Sequence, residues 1–175
     1  MQPSDLVTVA DIVERAGMTP AAFYYHFSSR EQLLEEVVRE FAATWVETLE
    51  RLLSAADTPA QLAEVAVGLV DEIETIEQVA KIFFLSGATA PVLVEEIRRE
   101  ARARLIKSAA KAVERIDSKR KSPAAMVNGL SMVVLYETAV RSRLSLDDSY
   151  RTLGPRRFRE ELATLGRVAS GFTAA

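Results

Sequence analysis

The chain of 175 residues contains no cysteine and a single histidine. Without cysteine there are no disulfides, thiolate metal sites or cysteine nucleophiles, and the composition suits a reducing compartment. With one histidine and no cysteine, His26 has no partner for a metal set or for nucleophile–base chemistry built on histidine pairs. Glycine and proline are sparse, seven and six residues, which argues against fibrous or low-complexity structure. Long apolar runs are missing too. Apolar stretches such as Ile82-Phe83-Phe84-Leu85 fall far short of the roughly 18 residues of a membrane span. Met1-Gln2-Pro3-Ser4-Asp5 is neither basic nor apolar, so no secretory signal is visible there. A soluble, cytoplasmic protein that meets no membrane is the expectation.

What is present is a hydrophobic content of 49% and a charged content of 27%, enough to build a core in one or two domains. The net charge is −3 but unevenly spread. Residues 1–55 hold four arginines against nine Asp or Glu, a balance of −5. The other 120 residues hold 18 basic and 16 acidic side chains, a balance of +2. Nucleic-acid-binding regions are usually basic, because neutralising phosphates releases counterions. An acidic N-terminal region runs against that pattern.

Helical periodicity recurs throughout and strand alternation hardly at all. Thr8 is an N-cap candidate for a helix carrying Val9, Ile12, Val13 and Ala16 on one face, with Gly17 placed for a left-handed C-cap. Thr19 and Pro20 open a second helix. Ser29 and Gln32 form a capping-box pattern ahead of a third, predicted to end near Leu53. Further helices are predicted from Pro59, over Glu77 to Leu85, from Pro91 to Ile116, from Pro123 or Ala124 to Leu144, and from Pro155 to Gly171, with a turn-rich stretch over 145–154. Glu95/Arg99 and Glu100/Arg104 are spaced i, i+4 for surface pairs. The fold class is all-α, about eight helices, with a domain boundary between residues 46 and 47.

Residues 8–27 have the layout of a helix-turn-helix: helix, Gly17-Met18 turn, capped second helix. Phe23 and Phe27, four apart, face the small domain's core. Thr19, Ala21, Ala22, Tyr24, Tyr25 and His26 lie toward the other side. Small residues at 21 and 22 permit close approach to a major groove and contact with thymine methyls. Tyrosine hydroxyls, the imidazole and the N–H groups at the helix starts near Thr19 and Ser29 suit phosphate oxygens. Tyr24 and Tyr25 point about 100° apart on a helix, so one is expected in the core and Tyr24 is favoured as the contact. Further along, Trp45, Phe83, Phe84, Met132 and Tyr136 are candidates for an apolar ligand pocket, with Asn128, Glu137 and Thr138 as polar groups beside them. Lys119-Arg120-Lys121 reads as a solvated loop. Glu95-Glu96 and Asp147-Asp148 read as helix surface and turn, and no catalytic or cofactor-binding constellation can be assembled. The chain is not expected to be an enzyme.

The stretch Val7 to Gly17, then Tyr24-Tyr25-His26-Phe27, then Ser29-Arg30-Glu31-Gln32-Leu33-Leu34 resembles the tetracycline-repressor (TetR) family. The resemblance implies a homodimer whose N-terminal domains bind a double-stranded DNA operator and whose C-terminal helices hold an effector pocket. By motif match Thr19, Tyr24, Tyr25, His26 and Arg30 would contact DNA, with Ala21 and Ala22 facing the groove. The last two helices would pair with those of a second copy, and Phe158, Leu162, Leu165 and Phe172 are spaced for that. The expected function is a ligand-responsive regulator, a repressor released by its effector. The family normally carries a full helix ahead of the position of Val7, which Met1 to Asp5 are too few to form. Its absence would leave Val9, Ile12, Phe23 and Phe27 partly exposed, at a cost of about 1.5–3 kcal/mol for each side chain fully exposed. It would also favour the alternative of a helical ligand-binding or interaction protein that no longer binds DNA.

Overall fold

The structure is a computed structural model, which describes residues 7–86 and 92–172. Eight α-helices and one short 3-10 segment make up the described residues, with no strand among them. The helices are α1 (Val9–Ala16), α2 (Pro20–His26), α3 (Arg30–Ala55), α4 (Pro59–Glu72), α5 (Glu77–Leu85), α6 (Val92–Ile116), α7 (Ala124–Ser145) and α8 (Asp148–Ala169). The 3-10 turn Ile73–Ile76 joins α4 to α5. The segment Met1 to Asp5, too short for the family's first helix, lies outside the described residues.

Local chemistry sets the helix ends. Thr8 accepts a hydrogen bond from the Asp11 N–H at 3.2 Å, while the Asp11 carboxylate accepts from the Thr8 N–H at 2.7 Å, a reciprocal capping box. The Thr8 hydroxyl also donates to that carboxylate at 2.6 Å, and this bond together with the one from the Thr8 N–H holds the Asp11 carboxyl below its ordinary value. Gly17 closes α1 at φ 63°, a conformation that costs glycine little. Thr58 and Gln61 form a second box at the start of α4, ahead of Pro59. Helix α3 ends without a glycine cap. Arg115 of α6 supplies the donors instead, reaching the carbonyls of Leu53 at 2.7 Å and Ala56 at 2.8 Å.

Two expectations about helix ends and surface pairs need correction. The stretch 145–154 is helical from Asp148 onward, because the Asp147 side chain accepts the Tyr150 N–H at 3.0 Å and starts the helix early. Gly154, at φ 71° and ψ 165°, then breaks α8 into two pieces just before Pro155. The i, i+4 pairs on α6 are not the ones formed. Glu95 pairs with Arg98, Arg99 lies 4.0 Å from Glu96, and Arg104 crosses to Glu50 of α3.

Helices α3 to α8 enclose one continuous core, built on Val38, Phe41, Trp45, Leu49 and Leu53 of α3 and the inner faces of the other five. Helix α7 packs against α6, α6 against α3, and α8 against α4. Two glycines permit these approaches. A Cβ on Gly129 would stand 2.6 Å from the Ile106 carbonyl oxygen and 2.9 Å from the Ala110 nitrogen of α6. A Cβ on Gly166 would stand 2.9 Å from the Ala63 carbonyl oxygen of α4. The expected boundary at residues 46/47 falls inside α3, which runs unbroken from the N-terminal helices into the core. At about 1.5 Å per residue its 26 residues span roughly 39 Å.

Candidate functional site

The N-terminal helices have the layout of a helix-turn-helix, α1, a Gly17-Met18 turn and a capped α2. Thr19 caps α2, its hydroxyl oxygen accepting the Ala22 N–H at 3.1 Å, and Pro20 fills the first helical position. Ser29 caps α3 in the same way through the Gln32 N–H at 3.1 Å. The Gln32 side chain closes back on Ser28, accepting from its N–H at 2.6 Å and its hydroxyl at 2.7 Å. Phe23 is fully buried and Val13 nearly so, whereas Val9, Ile12 and Phe27 are half-buried. Phe23 therefore departs from the expectation of partial exposure. Phe27 and Tyr24 cover it, their ring centroids 5.5 and 5.3 Å away.

The outward face of α2 carries Ala21, Tyr24, Tyr25 and His26 in the open, with Thr19 exposed at its cap and Ala22 partly covered. The expectation that one tyrosine enters the core does not hold. Tyr24 is 59% exposed and Tyr25 84%, because Phe23 alone fills the space beneath this short helix. His26 stands edge-on to Tyr25 at 5.0 Å. Arg30 is turned back onto the protein. Its guanidinium donates to the Val7 carbonyl at 3.0 Å and pairs with Glu31 at 3.0 Å.

The acidic balance of the N-terminal region is distributed away from this face. Residues 19–30 include no Asp or Glu. Asp11 is held in its cap, Glu31 by Arg30 and Glu35 by Arg39. Glu50 accepts from Arg104 at 2.8 and 2.5 Å and from the Ser108 hydroxyl at 2.9 Å. These bonds hold its carboxyl below the ordinary range.

A cavity of about 230 Å³ lies between α3, α5, α6 and α7. Trp45, Phe83, Phe84 and Tyr136 line it, together with Leu49, Leu105 and Val133. Met132 does not line it; fully buried on α7, it belongs to the surrounding core. Missed in the sequence was a charged margin of Arg98, Arg99 and Arg102 from α6, Arg141 from α7, and Glu95 and Glu137. Their spacing looked like ordinary helix surface, and only the crossing of α6 with α7 gathers them. Of the three polar α7 residues, Glu137 alone reaches the cavity. Asn128 donates to the Ala169 carbonyl at 3.3 Å, and Thr138 to the Val134 carbonyl at 2.8 Å. Burial pushes the Glu137 carboxyl up, against the pull of Arg102 and Arg141. Burial also pushes the Tyr136 phenol up, and its hydroxyl has no hydrogen-bond partner.

The outer face of α7 and α8 is apolar. Val127, Leu130 and Val134 on α7 and Leu165 and Val168 on α8 are exposed. Of the four residues expected there, only Leu165 lies on that face. Phe158 and Leu162 point inward and are buried in the protomer's own core, and Phe172 is half-buried beneath Arg120 at 4.9 Å. Arg120 also pairs with Asp117 at 3.1 Å, so the basic tripeptide is partly tied down. Among the described residues no helix is long and apolar enough to cross a membrane.

Comparison with known proteins agrees with this geometry. Residues 3–37 match the model of the TetR family of bacterial regulatory proteins. Over 52 residues the chain is 38% identical to the HTH-type transcriptional repressor KstR2 of Mycolicibacterium smegmatis. That match takes in 30% of this chain and 25% of the relative, so the chain spans about a quarter of the length of the curated relative it matches. A solved structure from Syntrophomonas wolfei, described as a TetR-family transcriptional regulator, superimposes with a TM-score of 0.70 at 12% identity. It covers 95% of this chain and 85% of that one, a likeness of fold. Residues 3–37 thus carry a signature similar to that of the TetR family, and the described helices share the fold of a regulator described as belonging to it.

Proposed function

We propose that the protein is a DNA-binding transcriptional regulator, a repressor that works as a homodimer and releases its operator when a small molecule fills the cavity. The observation that carries the reading is the outward face of α2. Two tyrosines and a histidine stand exposed, free of carboxylates, on a doubly capped helix-turn-helix. Exposed aromatic side chains on a seven-residue helix add little to its stability, and they have the size and donors to meet phosphates and groove edges. Thr19, Ala21, Ala22, Tyr24, Tyr25 and His26 make this surface. Arg30 joins it by exchanging its bond to Val7 for a phosphate.

The apolar outer face of α7 and α8 supports the dimer. Val127, Leu130 and Val134 recur at helical spacing beside Leu165 and Val168, the arrangement of a helix-pair seam. Helix α3 supports the coupling. Ser29 caps it beside the reading surface, and Trp45 and Leu49 on the same helix line the cavity. A ligand that requires a different tilt of α3 would change the spacing of the two heads. It shifts that population only to the extent that it binds one spacing better than the other.

Selection of bound sequences from a random duplex pool, followed by anisotropy titration of the winner, tests the regulator. The expected result is tight, salt-sensitive binding that falls on scrambling the sequence and on Tyr25→Ala. Equal affinity for selected and scrambled duplexes would sink the reading.

A further inference from the structure

We propose that the cavity takes a small organic anion, a carboxylate on a flat apolar body of single-ring size, with the ring against Trp45, Phe83 and Phe84 and the charge toward the arginines of α6 and α7. This deepens the effector reading above and rests on it for its regulatory meaning.

The size follows from the volume of this partly open cavity. About 230 Å³ corresponds to roughly seven or eight waters at liquid density, which suits one ring with a short side chain. The shape follows from the aromatic wall. Phe83 and Phe84 meet at 82° with centroids 4.9 Å apart, and Trp45 meets Phe84 at 75° and 5.5 Å. Rings set at steep angles offer both edges and faces to a further ring. Leu49, Leu105 and Val133 complete the apolar lining.

The sign of charge follows from the margin. Four guanidinium groups, Arg98, Arg99, Arg102 and Arg141, face two carboxylates, Glu95 and Glu137. Glu95 is paired with Arg98, Glu137 lies 3.6 Å from Arg102, and Glu96 beside the margin lies 4.0 Å from Arg99, so Arg141 leaves the local balance positive. Partial enclosure by apolar walls strengthens that field relative to open water. Two buried polar atoms among the lining residues lack any partner, the Tyr136 hydroxyl and Nε of Arg98. Both can donate. A carboxylate has acceptor sites for both, and charge-assisted bonds of this kind are the strong ones. A cation would meet the excess of arginines, an apolar ring without an acceptor would leave both donors unmet, and a neutral amide would meet them only with weaker, uncharged bonds.

Trp45 is the chain's only tryptophan and lines the cavity, so its emission reports occupancy directly. Phenylacetate, phenylacetamide and phenethylamine carry the same ring with negative, neutral and positive ends. Phenylacetate is expected to change Trp45 emission saturably and to bind about tenfold or more tighter than the amide, with the amine weakest. Tyr136→Phe should weaken phenylacetate more than phenylacetamide, whose carbonyl accepts only a neutral hydrogen bond, without lowering the thermal midpoint. Ala101→Phe, which fills the space, should abolish the response. The proposal is overturned if the amide or amine matches the carboxylate, or if no saturable response to phenylacetate, benzoate or 3-phenylpropionate appears up to millimolar concentration. Operator binding measured on the same samples separates the two readings. Operator binding without anion binding sinks the ligand class alone. Anion binding that leaves operator affinity unchanged sinks the effector role and keeps the ligand class.

Discussion

Aromatic residues serve opposite ends in the two regions of this molecule. In the body, Phe41, Trp45, Phe83 and Phe84 are buried against one another, and their contacts hold α3 to α5. In the head, Phe23 alone is buried, while Tyr24 and Tyr25 next to it lie open. A large core can absorb several rings; a pair of helices of eight and seven residues has room for one. The aromatic surplus of α2 is therefore available for a partner, and that of α5 is spent on structure and on the wall of a cavity.

The largest test of the contrast removes the single buried ring of the head. Phe23→Ala should cost about 3–5 kcal/mol locally, the usual range for a buried phenylalanine. Operator binding should be lost by anisotropy, while Trp45 emission and the unfolding midpoint of the body hardly move. A drop in that midpoint equal to the loss expected for the head would show that head and body unfold together. Next, Gly129→Ala presses a methyl into the α6 backbone, and overpacking of this kind costs about 1–3 kcal/mol. Here chemical denaturation should show the body weakened and the cavity response altered. Thr19→Ala removes one cap from α2 and should cost about 1 kcal/mol, seen as weaker operator binding with an unchanged body.

The smallest effects concern two carboxylates shifted in opposite directions. Glu50 is held below the ordinary range by Arg104, so it contributes stability at neutral pH that is lost as pH falls through its folded value. Glu137 is raised by burial, so its ionised form costs stability above its folded value, and the cost disappears as pH falls. Glu50→Gln should thus destabilise and Glu137→Gln stabilise at neutral pH, each by under about 1 kcal/mol at these partly exposed sites. Thermal midpoints across the acid range would show the Glu137 difference fading first, as pH falls to the ordinary carboxylate value, and the Glu50 difference fading below it. Midpoints that move the same way for both variants would contradict the assignment.

Legibility differed between the regions for a physical reason. Caps, the Gly17 turn and helix spans are local chemistry, and Thr8, Thr19, Ser29 and Thr58 announce them within four residues. The cavity was half legible. Its aromatic wall stood out by residue type, whereas Arg98, Arg102 and Arg141 resemble any solvated helix face until α6 and α7 cross. Phe158 and Leu162 have the spacing of an interface, yet the packing of α8 on α4 and α7 leaves them buried in the protomer's own core. Tyr24 and Tyr25 could not be ranked from a helical wheel, because the depth of core beneath α2 is not a property of α2.

The sequence by itself determined an all-helical chain, the helix-turn-helix with its capped second helix, and the aromatic residues available for a pocket. These follow from interactions between residues no more than one or two turns apart. The tertiary structure alone decided which tyrosines face solvent, which arginines gather around the cavity, and which apolar residues of α7 and α8 remain outside. Those outcomes depend on how helices distant in sequence rotate against one another, and close approaches at Gly129 and Gly166 help to set that rotation.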